Sequence, residues 1–379
     1  MYYGVVVHRL LALLSAVALV PSCAGVDGRT QSDRATEPEI RISRAEFASL
    51  IDELSEREGY FDTDNFITNE TSYLHVVGRL KEQVPPGGVY LGVGPDQNFS
   101  YIVHTEPSLA VIVDIRRQNM LQHLLFKVLI EEADGRLDYL CTLLARDCAG
   151  VGSGDFPAML AGVREAPGSE TRLGDATSDV RRALVEEYGI RLTASDLEQI
   201  EYVQRSFAQA GLSLRFSTFG RSPAGYPTFE EILTGRDLEG RYQSYLSSDA
   251  LFERLQTFQR ENRLVPVVGD FGGNDAMRRV AEFLGERSLA VSVFYASNVE
   301  FYLFGSPDWD RYLGNLGRFP FRDDSVFIRS YFPTGWPIHP QNVPGHRPTS
   351  LVQDVAGFFD DVETGRQRTY WDVVTRHLR

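Results

Sequence analysis

The sequence predicts an α/β fold in which a Rossmann-like, mostly parallel sheet carries helices on both faces. In residues 88–131 an apolar strand, a glycine turn, a helix, a second strand and a second helix follow one another. This is the order of a right-handed crossover unit. Residues 109–115 (LAVIVDI) form an almost unbroken apolar run, which is typical of a parallel strand buried on both faces. Alternation of strand and helix then resumes after residue 264.

The elements before and within this first unit follow from local patterns. Ser43 with Glu46 three residues later is typical of a helix N-terminus. A second helix is predicted at roughly 71–83, before a Pro-Pro-Gly-Gly break. Residues 96–104 predict a short helix after the glycine turn. The apolar stripe that begins at Met120 predicts a longer helix that ends near residue 135.

The rest of the chain divides at about residue 260. Residues 150–260 predict mostly helices and are interpreted as a helical insertion or cap, with the clearest helix between Ser195 and Ala210. A helix is also predicted to start near Thr349, after a proline-rich segment. Beyond 260 the predicted strands are 264–271, 289–295 and 325–331, with a helix over 274–286.

Charge narrows the class of partner. The chain of 379 residues has a formal net charge of −14 and a pI near 5.0. Nucleic-acid binders usually present a basic face to phosphates, so no nucleic-acid partner is predicted. Simple electrostatic docking on anionic lipid is disfavoured for the same reason.

The N-terminus predicts export. Leu10–Val20 is an apolar run that suits a secretory signal, and it leads into Val20-Pro21-Ser22-Cys23, which resembles a bacterial lipoprotein cleavage box. We therefore expect a signal peptide at 1–22, a lipidated Cys23, and a location in the cell envelope, on the membrane. The alternatives are an uncleaved N-terminal anchor and a mis-called start codon upstream of Ser43. A flexible tether at 23–39 and one domain at 40–375 complete the predicted organisation.

Cys141 and Cys148 are the other two cysteines. They lie seven residues apart on a predicted helix, about two turns, which exceeds disulfide reach unless the helix breaks between them. We expect two buried free thiols. No metal site is predicted, since the chain has neither a CxxC nor an HExxH pattern.

The turn Gly92-x-Gly94 is the first candidate site. Glycines between a strand and a helix let a ligand approach the backbone and the helix N-terminus. Asp114 ends the next strand, where an acidic residue accepts hydrogen bonds from ribose in Rossmann-like folds. Gln97 stands where a dinucleotide motif needs its third glycine, so NAD and FAD are disfavoured. AdoMet tolerates a looser glycine pattern, and a fold with an empty crevice is the alternative.

Two further polar segments are candidates. Asp270, in GDFGGN at 269–274, ends a later strand and could orient a substrate or act as a base. Alternatively the two glycines form a tight turn, and Asp270 or Asn274 caps the next helix. A polar loop before the first strand could fold over the crevice, or could supply only turns and caps. Its polar residues are Asp62, Asp64, Asn65, Asn69 and Glu70.

Five long motifs resemble an uncharacterised bacterial family with a class I AdoMet-dependent methyltransferase-like fold. The motifs are FDTDNFITNETSYLHV (61–76), YLGVGPDQNFSYI (90–102), VDIRRQNMLQHLLFK (113–127), VPVVGDFGG (265–273) and SNVEFYLF (297–304). The resemblance implies a cofactor crevice over Gly92, Gly94 and Asp114. It also implies that Asp96, Asn98 and Arg116 flank that crevice. One departure is Tyr90, because methyltransferases usually have an acidic residue two positions before the first glycine.

Two functions follow from these expectations. One is an AdoMet-dependent methyltransferase that binds its cofactor through Gly92, Gly94, Asp96 and Asp114, with Asp270 or a loop carboxylate assisting. The other is a non-catalytic, lipid-anchored envelope protein that binds another small molecule or a protein. Export separates them, because AdoMet is made in the cytosol.

Overall fold

A computed structural model describes residues 40–63, 65–218, 220–335 and 337–379. The predicted signal peptide, the lipidation site Cys23, the tether and the loop residue Asp64 lie outside these ranges. No helix in the described ranges is long and apolar enough to cross a membrane.

The described chain forms an α/β fold around one six-stranded sheet with the order β3-β2-β1-β4-β5-β6. Strands β1 to β5 run parallel, and β6 is antiparallel to β5. The predicted Rossmann-like, mostly parallel α/β class is therefore confirmed. The strands are β1 Val89–Gly92, β2 Leu109–Asp114, β3 Leu264–Val268, β4 Val291–Ser297, β5 Phe321–Tyr331 and β6 Thr349–Asp354.

The central strands have the apolar sequences that their position requires. Every residue of β1, β2 and β3 is buried, because helices flank the sheet and neighbouring strands cover both edges of β1 and β2. In the parallel register Leu91 lies beside Val111, and Asp114 lies beside Val268. The strands therefore end close together at one edge of the sheet, the carboxyl edge.

Helices account for most of the remaining chain, and none of the named strands falls between β2 and β3. The α-helices are α1 Arg44–Leu54, α2 Val77–Gln83, α3 Gln97–Thr105, α4 Arg117–Glu132, α5 Arg136–Leu143, α6 Phe156–Glu165, α7 Glu170–Arg182, α8 Ala194–Ala210, α9 Phe229–Leu233, α10 Asp249–Arg260, α11 Ala276–Glu286, α12 Val299–Leu303, α13 Pro307–Leu316, α14 Val355–Glu363 and α15 Tyr370–Thr375. Short 3₁₀ or π turns occur at Tyr73–Val76, Ala183–Glu187, Gly211–Ser213 and Pro223–Gly225.

The prediction that a helix starts near Thr349 is wrong, because the helix starts several residues later. Residues 349–354 instead form the antiparallel edge strand β6, with Thr349 beside Tyr331 and Asp354 beside Val326. The helix begins only at Val355, where the Asp354 carboxylate accepts a hydrogen bond from the Gly357 backbone N–H at 2.7 Å. Pairing with β5 decides the conformation here, and a local helical pattern does not reveal that partner.

The two free thiols expected at Cys141 and Cys148 are also a wrong prediction, because the structure joins them in a disulfide. Helix α5 ends at Leu143, and Ala145 adopts a left-handed backbone conformation with φ of 48°. This break brings the two Cα atoms to 6.3 Å, within the usual range for a disulfide.

Candidate functional site

The carboxyl edge between β1 and β4 is where ligands bind in sheets of this type. The chain builds outwards from β1 in one direction through β2 and β3, and in the other through β4 and β5. The order reverses between β1 and β4, and such a switch point leaves a crevice outside the strand ends. Gly92 ends β1, Ser297 ends β4 and Asp114 ends β2, so the predicted crevice residues converge on this edge.

The glycine turn is shaped by Asn98, a neighbour on α3. A Cβ atom at Gly92 would lie 2.2 Å from the Asn98 Oδ1 atom, so a larger residue does not fit. The Asn98 amide donates to the backbone carbonyls of residues 93–95 at 2.7–3.1 Å, and its oxygen accepts from the Tyr90 hydroxyl at 2.8 Å. Tyr90 therefore orients Asn98. Gly94, with φ of 80°, adopts a conformation that favours glycine.

The turn is also covered from outside by other parts of the protein. Residues 94–98 are all buried. The Tyr245 hydroxyl, from the chain before α10, donates to the Asp96 carboxylate at 3.0 Å. The Gln97 amide donates to the Tyr295 hydroxyl of β4 at 3.2 Å. Asp96, which the sequence proposed for cofactor binding, therefore contacts another side chain of the same chain.

Two titratable side chains flank the turn, and burial favours the neutral form of each. Burial raises the pKa of Asp96 from 3.8 to about 7, although the hydrogen bond from Tyr245 opposes the shift. Burial lowers the pKa of His123 to about 4, and its Nε2 atom lies 2.9 Å from the Gly94 carbonyl oxygen. A neutral His123 donates there. The Asp96 Oδ1 atom has no hydrogen-bond partner in the described chain.

Asp114 is occupied by Arg116. Its Oδ1 atom accepts from the Arg116 backbone N–H at 2.9 Å and from Nε at 3.1 Å, and Oδ2 accepts from Nη2 at 3.0 Å. Arg116 also donates to the Thr63 carbonyl at 3.2 Å, which ties it to the polar loop. Both carboxylate oxygens therefore accept hydrogen bonds from Arg116, and a ribose ligand would have to share them with it or replace it.

Asp270 lies in a tight turn after β3. Its carboxylate accepts a hydrogen bond from the Gly272 backbone N–H at 2.9 Å. This bond agrees with the alternative in which the two glycines form a tight turn. The cap of α11 comes from Glu56 and not from Asp270 or Asn274, because Glu56 accepts from the backbone N–H groups of residues 275 and 276 at 3.1 and 3.0 Å. Burial, which is partial, raises the pKa of Asp270. No local signal could have revealed Glu56, which is more than 200 residues away in sequence.

The polar loop does cross the carboxyl edge, but it contributes one buried carboxylate to it. Glu70 accepts hydrogen bonds at 2.5 Å from Ser297 at the end of β4 and from Ser330 near the end of β5. Burial raises the pKa of Glu70, and the two serines oppose that shift. Asp62 is exposed and accepts from the Tyr60 hydroxyl at 3.1 Å. The loop therefore packs over the carboxyl edge through Glu70, whereas Asp62 is exposed.

The structure brings Gly92, Gly94 and Asp96 into one turn, and places Asp114 and Asp270 at the ends of neighbouring strands. In the described ranges, no group of three or more His, Cys, Asp or Glu side chains is placed to hold a metal ion. The strand order, the glycine turn and the acidic strand ends define a Rossmann-like α/β protein.

The chain belongs to the family described as Domain of unknown function (DUF7790). The family model matches residues 65–147 and 195–375, which is well over half of the chain. The predicted crevice residues and Asp270 fall within the matched ranges, whereas Glu56 and helices α6 and α7 do not. No curated protein matches the sequence.

Proposed function

We propose that this chain is a non-catalytic binding protein of the cell envelope, whose nucleotide crevice is closed by its own side chains. The observation that carries the proposal is the burial of residues 94–98 beneath other parts of the fold. Tyr245 donates to Asp96, one of the residues predicted to bind a cofactor, and Tyr295 accepts from the adjacent Gln97. Its partner would be a small molecule or a protein, and the net charge of −14 disfavours nucleic acid.

The closure has an energetic consequence for AdoMet. A ribose that took the place of the Arg116 guanidinium on Asp114 would separate an ion pair in which both side chains are almost completely buried. Separating a buried ion pair costs about 3–5 kcal/mol where the remaining charge finds no new partner. That cost would weaken binding by roughly 10²- to 10⁴-fold. The ion pair therefore favours a crevice that stays closed.

The disulfide supports the location. Disulfides persist mainly in oxidising compartments outside the cytosol. AdoMet is made in the cytosol and not in those compartments. Cys141 and Cys148 form such a bond. The signal-like Leu10–Val20 and the lipoprotein-like Cys23 favour the same compartment independently.

An AdoMet-dependent methyltransferase is the second candidate. The strand order and the carboxylates after β2 and β3 favour it, because these are the positions that bind the nucleoside part of a ligand in such sheets. In that function Gly92, Gly94, Asp96 and Asp114 would hold the cofactor. Asp270 would assist the methyl transfer at the carboxyl edge.

A thermal-shift titration of the full chain with AdoMet and with its demethylated product separates the two candidates. We expect no change in the melting temperature. A cofactor at about 100-fold over its Kd would stabilise the chain by roughly 2.7 kcal/mol, which is readily measured. A methyltransferase of known affinity serves as the positive control. A saturable rise for this chain would overturn the closed-crevice proposal.

Anchoring is tested by Cys23→Ser in cells that process lipoproteins. The wild-type chain should incorporate a labelled fatty acid and fractionate with membranes, whereas the variant should do neither, because the acylated thiol is lost. Cys148→Ser is the control and should leave labelling unchanged. A Cys23→Ser chain that is processed normally and remains on the membrane would rule out lipidation.

A further inference from the structure

A cavity of about 200 Å³ lies at the carboxyl edge, outside the closed crevice. It is bounded by α1, by the first turn of α4 and by the segment around residues 190–192. Its lining includes the apolar side chains Ile51, Met120 and Ile190 and the charged side chains Asp52, Arg117 and Arg191. This combination provides apolar contact together with groups of both signs.

We propose that this cavity binds a small zwitterion of the α-amino-acid class. This ligand class deepens the proposed function, and it rests on the chain being a binding protein. The ligand carries one carboxylate and one ammonium within a few ångströms of each other, together with a short side chain. Lining groups of both charges must therefore have hydrogen-bonding capacity to spare.

The two arginines supply donors. Arg117 uses Nε and Nη2 on Asp196 at 2.6 and 3.0 Å, and Arg191 uses the same two atoms on Asp52 at 2.8 and 2.6 Å. Each guanidinium has five N–H groups. The Nη1 atom of each makes no hydrogen bond to the described chain, so it remains available to a ligand carboxylate, which guanidinium groups bind well.

The acceptors come from α1 and the residues that follow it. Arg191 contacts only one Asp52 oxygen, Oδ2, so Oδ1 remains for an ammonium group. The Ser55 hydroxyl accepts from the Val268 backbone N–H at 3.0 Å and still has its own hydrogen to donate. Glu56 also lines the cavity, but backbone N–H groups occupy both of its oxygens.

Charge and size select the ligand class. The lining carries two arginines and two carboxylates, so their formal charges cancel. A simple anion or cation would gain attraction from one sign and repulsion from the other, whereas a zwitterion matches both. The volume equals about six or seven water molecules at roughly 30 Å³ each. That suits a small ligand such as alanine, serine or threonine.

The test is a calorimetric titration of the full chain with L-alanine, L-serine and L-threonine. Two derivatives are the matched controls: L-alaninamide lacks the carboxylate, and N-acetyl-L-alanine lacks the ammonium. Succinate and inorganic phosphate test for a plain anion site. We expect saturable binding of at least one free amino acid, and at least tenfold weaker binding of both derivatives and both anions.

Two substitutions assign the binding to the cavity. Arg191→Gln and Asp52→Asn should each weaken binding at least tenfold while leaving the melting temperature nearly unchanged, because their ion pair is exposed. Arg205→Gln removes an exposed pair with Glu201 on α8 and should leave binding unchanged. Failure of all three amino acids to bind, equal binding of succinate or phosphate, or binding that both cavity variants retain would overturn this inference. None of these results depends on the AdoMet titration, so the two proposals fail separately.

Discussion

Two carboxylates at the same edge of the sheet show how burial changes what an acidic residue does. Asp114 and Asp270 follow neighbouring parallel strands, at positions that bind ligands in related folds. Asp114 is 5% exposed, and both of its oxygens bond to Arg116. Asp270 is partly exposed and makes one bond within a turn.

The difference between Asp114 and Asp270 indicates that the closed and the open parts of the carboxyl edge have different roles. At the end of β2 the buried Asp114 carboxylate is paired with Arg116 through both oxygens, because an unpaired buried charge would be too costly. Those residues hold the fold together. Beside β3, where α1 and residues 190–192 leave a cavity, the exposed Asp52–Arg191 ion pair costs little to disturb and keeps hydrogen-bonding groups for a ligand.

The largest expected effect is that of Asp114→Ala. The substitution leaves the buried Arg116 guanidinium without its carboxylate, and we expect the free energy of unfolding to fall by about 3–5 kcal/mol. Urea denaturation followed by circular dichroism measures it.

Asp270→Ala is the matched control. It should cost only about 1 kcal/mol, because one hydrogen bond in a partly exposed turn is lost. Equal losses from the two substitutions would show that the comparison between a closed and an open edge is wrong.

A smaller effect, which depends on pH, is expected at Asp96. Its pKa is raised from 3.8 to about 7, so between these values the folded chain binds more protons than the unfolded chain. The contribution of Asp96 to stability therefore declines as the pH rises through that window. Asp96→Asn is neutral and keeps an acceptor for Tyr245. It should be the more stable protein at about pH 8, by at least ~1.4 kcal/mol, the equivalent of one pKa unit.

Urea midpoints at about pH 4 and pH 8 measure this difference. The advantage of Asp96→Asn should shrink towards the lower pH, where the wild-type carboxyl is protonated in the folded state and about half protonated in the unfolded state. An advantage that does not change with pH would indicate that Asp96 is ionised in the folded protein, and that the turn is less enclosed than its burial indicates.

Local patterns predicted most of the sheet. The apolar run at 109–115 corresponds to β2, and the stripe from Met120 lies on α4. The glycine turn was also predicted, because a sharp bend must join β1 to α3. The helical pattern failed at Thr349 and between Cys141 and Cys148, since a strand partner and a chain break decide those conformations.

The candidate site was predicted in its positions but not in its contacts. Gly92, Gly94, Asp96 and Asp114 do meet at the carboxyl edge, because parallel strands end together. The groups that bond to them include Arg116 and Tyr245. Only Arg116 is close in sequence to the residue it binds.

The sequence by itself determined the α/β class, the positions of the central strands and the glycine turn, because each depends on periodicity and on residues within a few positions. The tertiary structure decided whether the crevice is open. It brings Tyr245 to Asp96, and Glu56 to the start of α11, across separations of 149 and more than 200 residues. Such contacts depend on how helices pack on the sheet, and no local pattern encodes that packing.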